Sequence, residues 1–379
     1  MRTIAFLTGS RGEWGYIRPI LKKIIEDPQL DYQLIVTHMH LLPEFGLSVR
    51  EIENDGFVVH EKLYMTLDGY NNQTMVKSLG ILLMELSTAL GRLRPDILML
   101  AGDRGEQLMG AIAGGHLKIP VAHVQAGELS GHIDGIVRHA ITKLAHIHFA
   151  ANEDFARRVR NMGEEDFRIF VTGAPQLDEL VEGQYTPRQE LNRKFGLSDK
   201  EPLLLAVQHP VTEEEEHLND HIIITLNVLK RVGLKTVMIY PNADAGSLQI
   251  RKALASLRGS NIMLFRNLPR EDYLGLMRRS EAIVGNSSSG ILEAPTFGLP
   301  AINIGKRQEG RPQADNVINV PYDEERIYQA IMKAMSPEFK AKAQNCKNPY
   351  GDGKAAQRIV EILKDITIDN HLLNKRMTY

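Results

Sequence analysis

The stretch that decides the fold runs from Ile97 to Phe149 and reads ILMLAGDRGEQLMGAIAGGHLKIPVAHVQAGELSGHIDGIVRHAITKLAHIHF. Its polar residues come in bursts, each directly behind a short apolar run. Ile97–Leu100 delivers Gly102-Asp103-Arg104, and Val121–Val124 delivers Gln125, Gly127 and Glu128. Such runs, bounded by turn residues, read as buried parallel strands, and open α/β sheets carry their chemistry beyond the carboxyl ends of those strands. Asp134 is read just ahead of a helix in which Val137, Ile141, Leu144 and Ala145 share one face, with His139 and Lys143 one turn apart on another. Polar groups from three loops are thereby expected to converge.

The same punctuation recurs outward from this stretch. Ile4–Leu7 reads as a strand, and Gly9-Ser10-Arg11-Gly12 as the turn into a helix carrying Ile17, Ile20, Leu21 and Ile24. Glycines there let backbone amides approach a phosphate, and Arg11 adds a guanidinium; an ordinary tight turn with an exposed arginine is the equally weighted alternative. Gln33–Val36 is the next strand, ending in Thr37-His38-Met39-His40, and Ile169–Thr172 another. After a Gly183–Pro187 crossing the pattern restarts with Leu203–Val207, Thr236–Tyr240, Ile262–Phe265 and Ala282–Gly285. Asn286-Ser287-Ser288-Ser289-Gly290 then opens a helix containing Ile291, Leu292 and Glu293. Hydroxyls of Ser287 and Ser288 with helix-start amides suit a diphosphate; a serine N-cap is the plainer reading. The Glu213–Glu216 run is better explained by a Thr212–Glu215 capping box than by a cation site.

A chain of 379 residues exceeds the usual single-core limit. Two domains are expected, 1–182 and 183–360, with a helical tail 361–379 returning across them; the apolar-periodic stretch Ala355–Ile366 begins that return. A formal net charge of -2 argues against nucleic acid as a partner. The single cysteine, Cys346, excludes an internal disulfide and fits a cytoplasmic protein. No signal peptide is read, and no apolar segment is judged long enough to cross a bilayer. The pairs His38/His40 and His146/His148 have the look of metal ligands, but the element order suits an open sheet, so no metal is expected. The first turn is not G-x-G-x-x-G, and no nicotinamide cofactor is expected.

GDR, then H-x-x-x-GE-x-SG-x-ID-x-x-x-RHAITK-x-AH-x-H, resembles the hydrolysing UDP-N-acetylglucosamine 2-epimerases, the family of the bacterial sialic-acid and legionaminic-acid enzymes. The resemblance extends in order from Thr8-Gly9-Ser10-Arg11 through Gln208–Thr212, Tyr240-Pro241-Asn242 and Gly285–Ser288 to Gly305–Gln308. It implies an α/β chain of two Rossmann-like doubly wound domains facing across a cleft, a glycosyltransferase-B-like architecture, with no cofactor. It also implies the reaction: anti-elimination of the nucleoside diphosphate to a 2-acetamidoglycal, then hydration with inversion at C2. Removing a C2 proton while the anomeric bond lengthens needs carboxylates, and Asp103, Glu128 and Asp134 are the candidates. For Asp103 a structural pair with Arg104, and for Asp134 a helix N-cap, are the competing readings.

By the same resemblance Arg11, Arg104, His209, Asn242, Ser287, Ser288, Glu293 and Arg307 lie on the nucleotide and phosphate side, Glu293 at the ribose, while His40 and Arg138 lie on the sugar side. Gln125 departs from the family pattern, which commonly has glutamate there; an amide orients a group but carries no proton between steps. UDP-N-acetylglucosamine is the first expected substrate, with a GDP- or UDP-linked N,N'-diacetylbacillosamine as alternative. Two readings from different classes compete with an epimerase: a glycosyltransferase of the same fold and a non-catalytic nucleotide-sugar binder. A homodimer or homotetramer is expected.

Overall fold

Apolar strands alternating with helices assemble into two parallel sheets, in a computed structural model that describes residues 1–68, 71–129, 133–211, 218–241, 261–266 and 268–378. The first sheet contains β1 (Arg2–Thr8), β2 (Leu30–Thr37), β3 (Glu61–Leu63), β4 (Ile97–Ala101), β5 (Val121–Val124), β6 (Ile147–Ala150) and β7 (Ile169–Val171). The second contains β8 (Leu203–Val207), β9 (Lys235–Ile239), β10 (Ile262–Phe265), β11 (Ala282–Gly285), β12 (Ala301–Ile304) and β13 (Val317–Val320). Their orders are β3-β2-β1-β4-β5-β6-β7 and β10-β9-β8-β11-β12-β13. Each is doubly wound, so the strand order reverses between β1 and β4 and between β8 and β11, where the adjoining loops diverge and leave a crevice.

Helices cover both faces of each sheet, which is why the strands are apolar throughout rather than alternating. In β4, Ile97, Met99 and Ala101 enter one core cluster and Leu98 and Leu100 the other. In β8, Leu204 and Ala206 face one layer and Leu203, Leu205 and Val207 the opposite one. At the reversal point of the second sheet Gly285 has φ of 135°, and a Cβ there would lie 2.0 Å from the Val207 carbonyl oxygen. Only glycine lets β11 run this close to β8.

The chain divides into two compact units, one formed by Met1–Leu129, Ile133–Asp178 and Tyr350–Tyr379, the other over Glu179–Pro349. The return to the first unit thus begins at Tyr350, eleven residues before the 361 expected from sequence. Asp178 explains the early return: its carboxylate accepts the N–H groups of Ala355 (3.0 Å) and Ala356 (2.7 Å), capping the Ala355–Asp365 helix. Ala356, Ile359, Val360 and Leu363 of that helix then join the first unit's core.

The helix Asn72–Leu93 corrects one sequence-based expectation, because its 22 residues, with an 18-residue window of mean hydropathy 1.2, do meet the length and composition of a membrane span. It is nevertheless the crossover between β3 and β4, packed on the sheet through Leu82, Leu86, Ala89 and Leu90, and its outer side leaves Val76 and Met84 exposed.

Candidate active site

Arg11, Asp103, Arg104, Gln125 and Glu128 follow the carboxyl ends of β1, β4 and β5, adjacent strands at the reversal point, while His40 follows β2 and Asp134 and Arg138 lie on a helix. Behind β4, Asp103 pairs with the guanidinium of Arg138, a side chain only 1% exposed against 18% for Asp103. Arg104 reaches Glu106, at 3.6 Å. The carbonyl of Gly102, just before Asp103, accepts a hydrogen bond from His123 Nε2 at 2.8 Å. Burial pulls the His123 ring down to about 3, so it is a neutral donor on that nitrogen. Arg138 and Thr142 both lie on the Ile133–Leu144 helix, and the Thr142 hydroxyl is 3.4 Å from His123 Nδ1. Asp103 is therefore held through its side chain and through the preceding carbonyl by groups tied to one helix.

Behind β5, Gln125 adopts a left-handed backbone with φ of 67°, unusual for a residue with a side chain. Its amide is buried and donates Nε2–H to Glu128 Oε2 at 3.5 Å, and Glu128 itself is fully buried. The turn between them is tight because Gly127, with φ of 77°, passes the Phe155 carbonyl so closely that a Cβ would be 2.3 Å from its oxygen. Asp134 is the second residue of the Ile133–Leu144 helix, inside its first turn. That corrects the expectation of an N-cap ahead of the helix; its side chain lies outside the described residues.

Behind β1 the groups expected to meet phosphate have partners within the chain. Glu13, at the third position of its helix, accepts the N–H groups of Gly9 (2.5 Å) and Ser10 (3.1 Å), while Ser10 caps the Glu13 amide in return. These two amides are engaged inside the chain and are not presented to an anion. Arg11 reaches outward to Glu51 (3.3 Å) and the Phe45 carbonyl (3.2 Å). His40 is likewise corrected. It is fully buried, with its nitrogens 3.0 Å from the Thr8 hydroxyl and 2.7 Å from that of Ser48, and burial lowers it to about 3, so it is a neutral core residue with no surface for a sugar.

Sequence reasoning missed a buried acid pair under this turn. Glu106 contacts Arg104 and His38; burial pushes its carboxyl up, but the Arg104 charge and the His38 contact outweigh it and hold it below the usual range. Burial, then the Glu106 charge, push Glu13 well above that range. The Ser10-x-x-Glu13 spacing is a capping-box signal that was there to be read. Nothing in the spacing distinguishes Glu106 from an ordinary acid at a helix start. Of the remaining paired histidines, His146 accepts the Val121 N–H at 3.0 Å and His148 meets Glu164 at 3.0 Å, and among the described residues no group of three or more His, Cys, Asp or Glu side chains is arranged to hold a metal.

In the second unit the tips of β8, β11 and β12 are joined by one residue, Asn286, which is fully buried. Its Oδ1 accepts the His209 N–H (2.7 Å), its Nδ2 donates to the His209 carbonyl (2.9 Å), and its own carbonyl accepts from Arg307 (3.2 Å) and Gln308 (2.8 Å). His209, Ser287, Ser288 and Arg307 are thus brought to one rim, with Asn286 the organiser that the sequence had not singled out. The helix after the serines is a single turn, Ser289–Leu292, and Pro295 carries the chain into the 3₁₀ turn Ala294–Phe297.

So short a helix supplies little macrodipole, and Ser288, at its N-cap position, makes no side-chain capping bond. The serine-cap expectation is corrected, and Glu293 is the residue that closes the turn rather than one within a helix. Its carboxylate is 2.5 Å from Arg270, which also meets Glu179 at 3.5 Å. Burial pushes that guanidinium down, but the two carboxylates outweigh it and hold it above its ordinary value. Asn242 and the Thr212–Glu215 box lie outside the described residues.

Residues 22–364 match the profile of the family described as UDP-N-acetylglucosamine 2-epimerase. The chain belongs to that family. A hydrolysing UDP-N,N'-diacetylbacillosamine 2-epimerase of Legionella pneumophila is 34% identical over 380 residues, spanning 100% of both chains. A UDP-N-acetylglucosamine 2-epimerase of Neisseria meningitidis is 32% identical, covering 99% of this chain and 98% of its own. The crystal structure of UDP-GlcNAc 2-epimerase from Neisseria meningitidis bound to UDP-GlcNAc superposes with a TM-score of 0.81 at 21% identity, over 96% of this chain and 99% of that one. The 2-epimerase family fold therefore accounts for both sheets and for the strand tips on which the polar residues stand.

Proposed function

We propose that this 2-epimerase family member is a hydrolysing enzyme that converts a UDP-linked 2-acetamido sugar into the free manno-configured sugar and UDP. The observation that carries this reading is the pair of neighbouring strand tips in the first unit. One holds Asp103, ion-paired to buried Arg138 yet still 18% exposed; the next holds Glu128, buried against the Gln125 amide. Loss of the C2 proton and departure of UDP from C1 form the C1–C2 double bond of the glycal. Water then adds its oxygen at C1, and a proton returns to C2 from the opposite face. Asp103, Glu128 and Asp134 are assigned these transfers, with Arg138 orienting the first of them. Gln125, which carries no proton, is assigned to positioning Glu128.

His209, Ser287, Ser288 and Arg307, with Arg104, Arg11 and Asn242, are assigned to the nucleoside diphosphate, and Glu293 to the ribose hydroxyls, its carboxylate oriented by Arg270. The internal bonding of the Gly9 and Ser10 amides leaves the β1 turn a lesser part in this than the β11 serines. UDP-N-acetylglucosamine is the simplest substrate of the class; the name of the Legionella pneumophila relative favours UDP-N,N'-diacetylbacillosamine as a second. We assign the enzyme to the cytoplasm as a homodimer or homotetramer. Exposed Val76 and Met84 on one helix and Ile133 and Ile136 on another support self-association.

The test is proton NMR of the purified protein in D2O with each nucleotide sugar. Release of UDP with free N-acetylmannosamine, or its bacillosamine-derived counterpart, carrying deuterium at C2 is the expected result. Saturable binding with the substrate unchanged would sink the enzymatic reading.

A further inference from the structure

The last residues of a chain are ordinarily solvated, but here Lys375 is only 18% exposed, held among three partners. Arg168, fully buried, donates to the carbonyls of Leu372 (2.5 Å), His371 (2.9 Å) and Asn374 (3.5 Å), and so pins the turn after the short Asn370–Leu373 helix. The next residue, Lys375, then turns inward. Its ammonium donates to the carbonyls of Thr142 (3.2 Å) and Lys143 (2.8 Å) and pairs with Glu164 at 2.6 Å. Those carbonyls belong to the last turn of the Ile133–Leu144 helix. A cation at that end both satisfies carbonyls left without intrahelical donors and complements the helix dipole.

The helix so capped is the one that holds Asp103. Arg138 grips the Asp103 carboxylate from it, and Thr142, whose carbonyl Lys375 takes, contacts His123, which in turn donates to the carbonyl before Asp103. We propose that Lys375 is a positioning residue. By clamping the carboxyl end of the Ile133–Leu144 helix against Glu164, the C-terminal tail sets the height of Arg138 and Thr142 and through them the aim of Asp103. The inference rests on the reading of Asp103 as an acid–base group.

The charge on this clamp is sensitive to pH. Burial lowers Lys375 to about 8, with the neighbouring Lys143 and Arg168 pushing the same way and Glu164 opposing them. His146 and His148 of the same cluster are themselves held to about 4 by burial, and remain neutral through the range in which Lys375 titrates. Above about pH 8 the helix end loses its cation while Glu164 keeps its charge.

Three proteins decide the matter: wild type, Lys375→Met and Lys375→Arg, each assayed for kcat, KM, the pH profile and amide hydrogen exchange across the Ile133–Leu144 helix. In Lys375→Met, kcat falls about ten- to a hundredfold, the scale of a slightly misplaced catalytic group, with KM within about twofold. Exchange quickens toward the carboxyl end of the helix, and the alkaline limb near pH 8 disappears. Lys375→Arg restores kcat and moves that limb upward, because a guanidinium stays charged. Equal losses in both variants would reduce Lys375 to a packing role and overturn the proposal, as would unchanged kcat or unchanged exchange in Lys375→Met. A wild-type protein inactive on every nucleotide sugar would sink the functional reading alone, and helix exchange would still decide the clamp.

Discussion

Replacing Arg138 by methionine removes the cation from a pair in which one partner is 1% and the other 18% exposed. Breaking a buried ion pair by deleting one member costs about 3–5 kcal/mol, because the surviving charge remains desolvated. Asp103 keeps some contact with water, which places the expected loss near the lower end, about 3 kcal/mol. For a unit of roughly 200 residues that is a fall of about 6–12 °C in the melting temperature. The assay is thermal and urea unfolding of wild type, Arg138→Met, Asp103→Asn and the double variant. Adding Asp103→Asn to Arg138→Met should recover about 1–2 kcal/mol, since a neutral amide costs less to bury than an unpaired carboxylate. Additivity of the two single changes, or a loss in Arg138→Met below about 0.5 kcal/mol, would refute the claim that the pair is a buried, coupled unit.

Three further outcomes follow from the same geometry. Gln125→Glu sets a second carboxyl group beside fully buried Glu128, so the two share one proton near neutrality; the pH–rate profile should gain a limb that wild type lacks, and an unaltered profile would show that the side chains do not meet. Gly285→Ala forces a Cβ against the Val207 carbonyl at a φ of 135°, and should cost about 3 kcal/mol or more and weaken UDP binding; an unchanged melting curve would contradict the close approach of β11 to β8. The neutral buried histidines His40, His123 and His148, lowered to about 3, 3 and 4, give stability that is fully present above about pH 6.5. It is lost progressively as pH falls from there toward 3, because the unfolded chain takes up protons that the folded one refuses. A melting temperature flat between pH 7 and 5 would rule this out.

The nucleotide-side rim shows how far local pattern reaches. Ser287, Ser288 and Arg307 stand out in the sequence because each follows an apolar run, and the strands do deliver them to adjacent tips. Asn286 does not stand out, since its role is to bond the backbone of His209, 77 residues away. The helix expected after the serines shrinks to one turn because Pro295 lies just beyond it, a stop signal present in the sequence but outweighed there by the periodicity of Ile291 and Leu292.

What the sequence determined by itself is the alternation of apolar runs with turn residues. Buried parallel strands need both faces apolar, and the chain can leave such a strand only through a polar loop, so the fold class and the placement of Asp103, Gln125 and Glu128 at strand tips were legible. Only the tertiary structure decided which charges meet. It brought Arg138, 35 residues on, to Asp103, spent the Gly9 and Ser10 amides on Glu13, and enclosed His40 between two hydroxyls. It also brought Lys375 to the end of a helix more than two hundred residues earlier in the chain. Partners of that kind are chosen by desolvation, since a buried charge must find its complement wherever the packing puts one, and no sequence spacing encodes that distance.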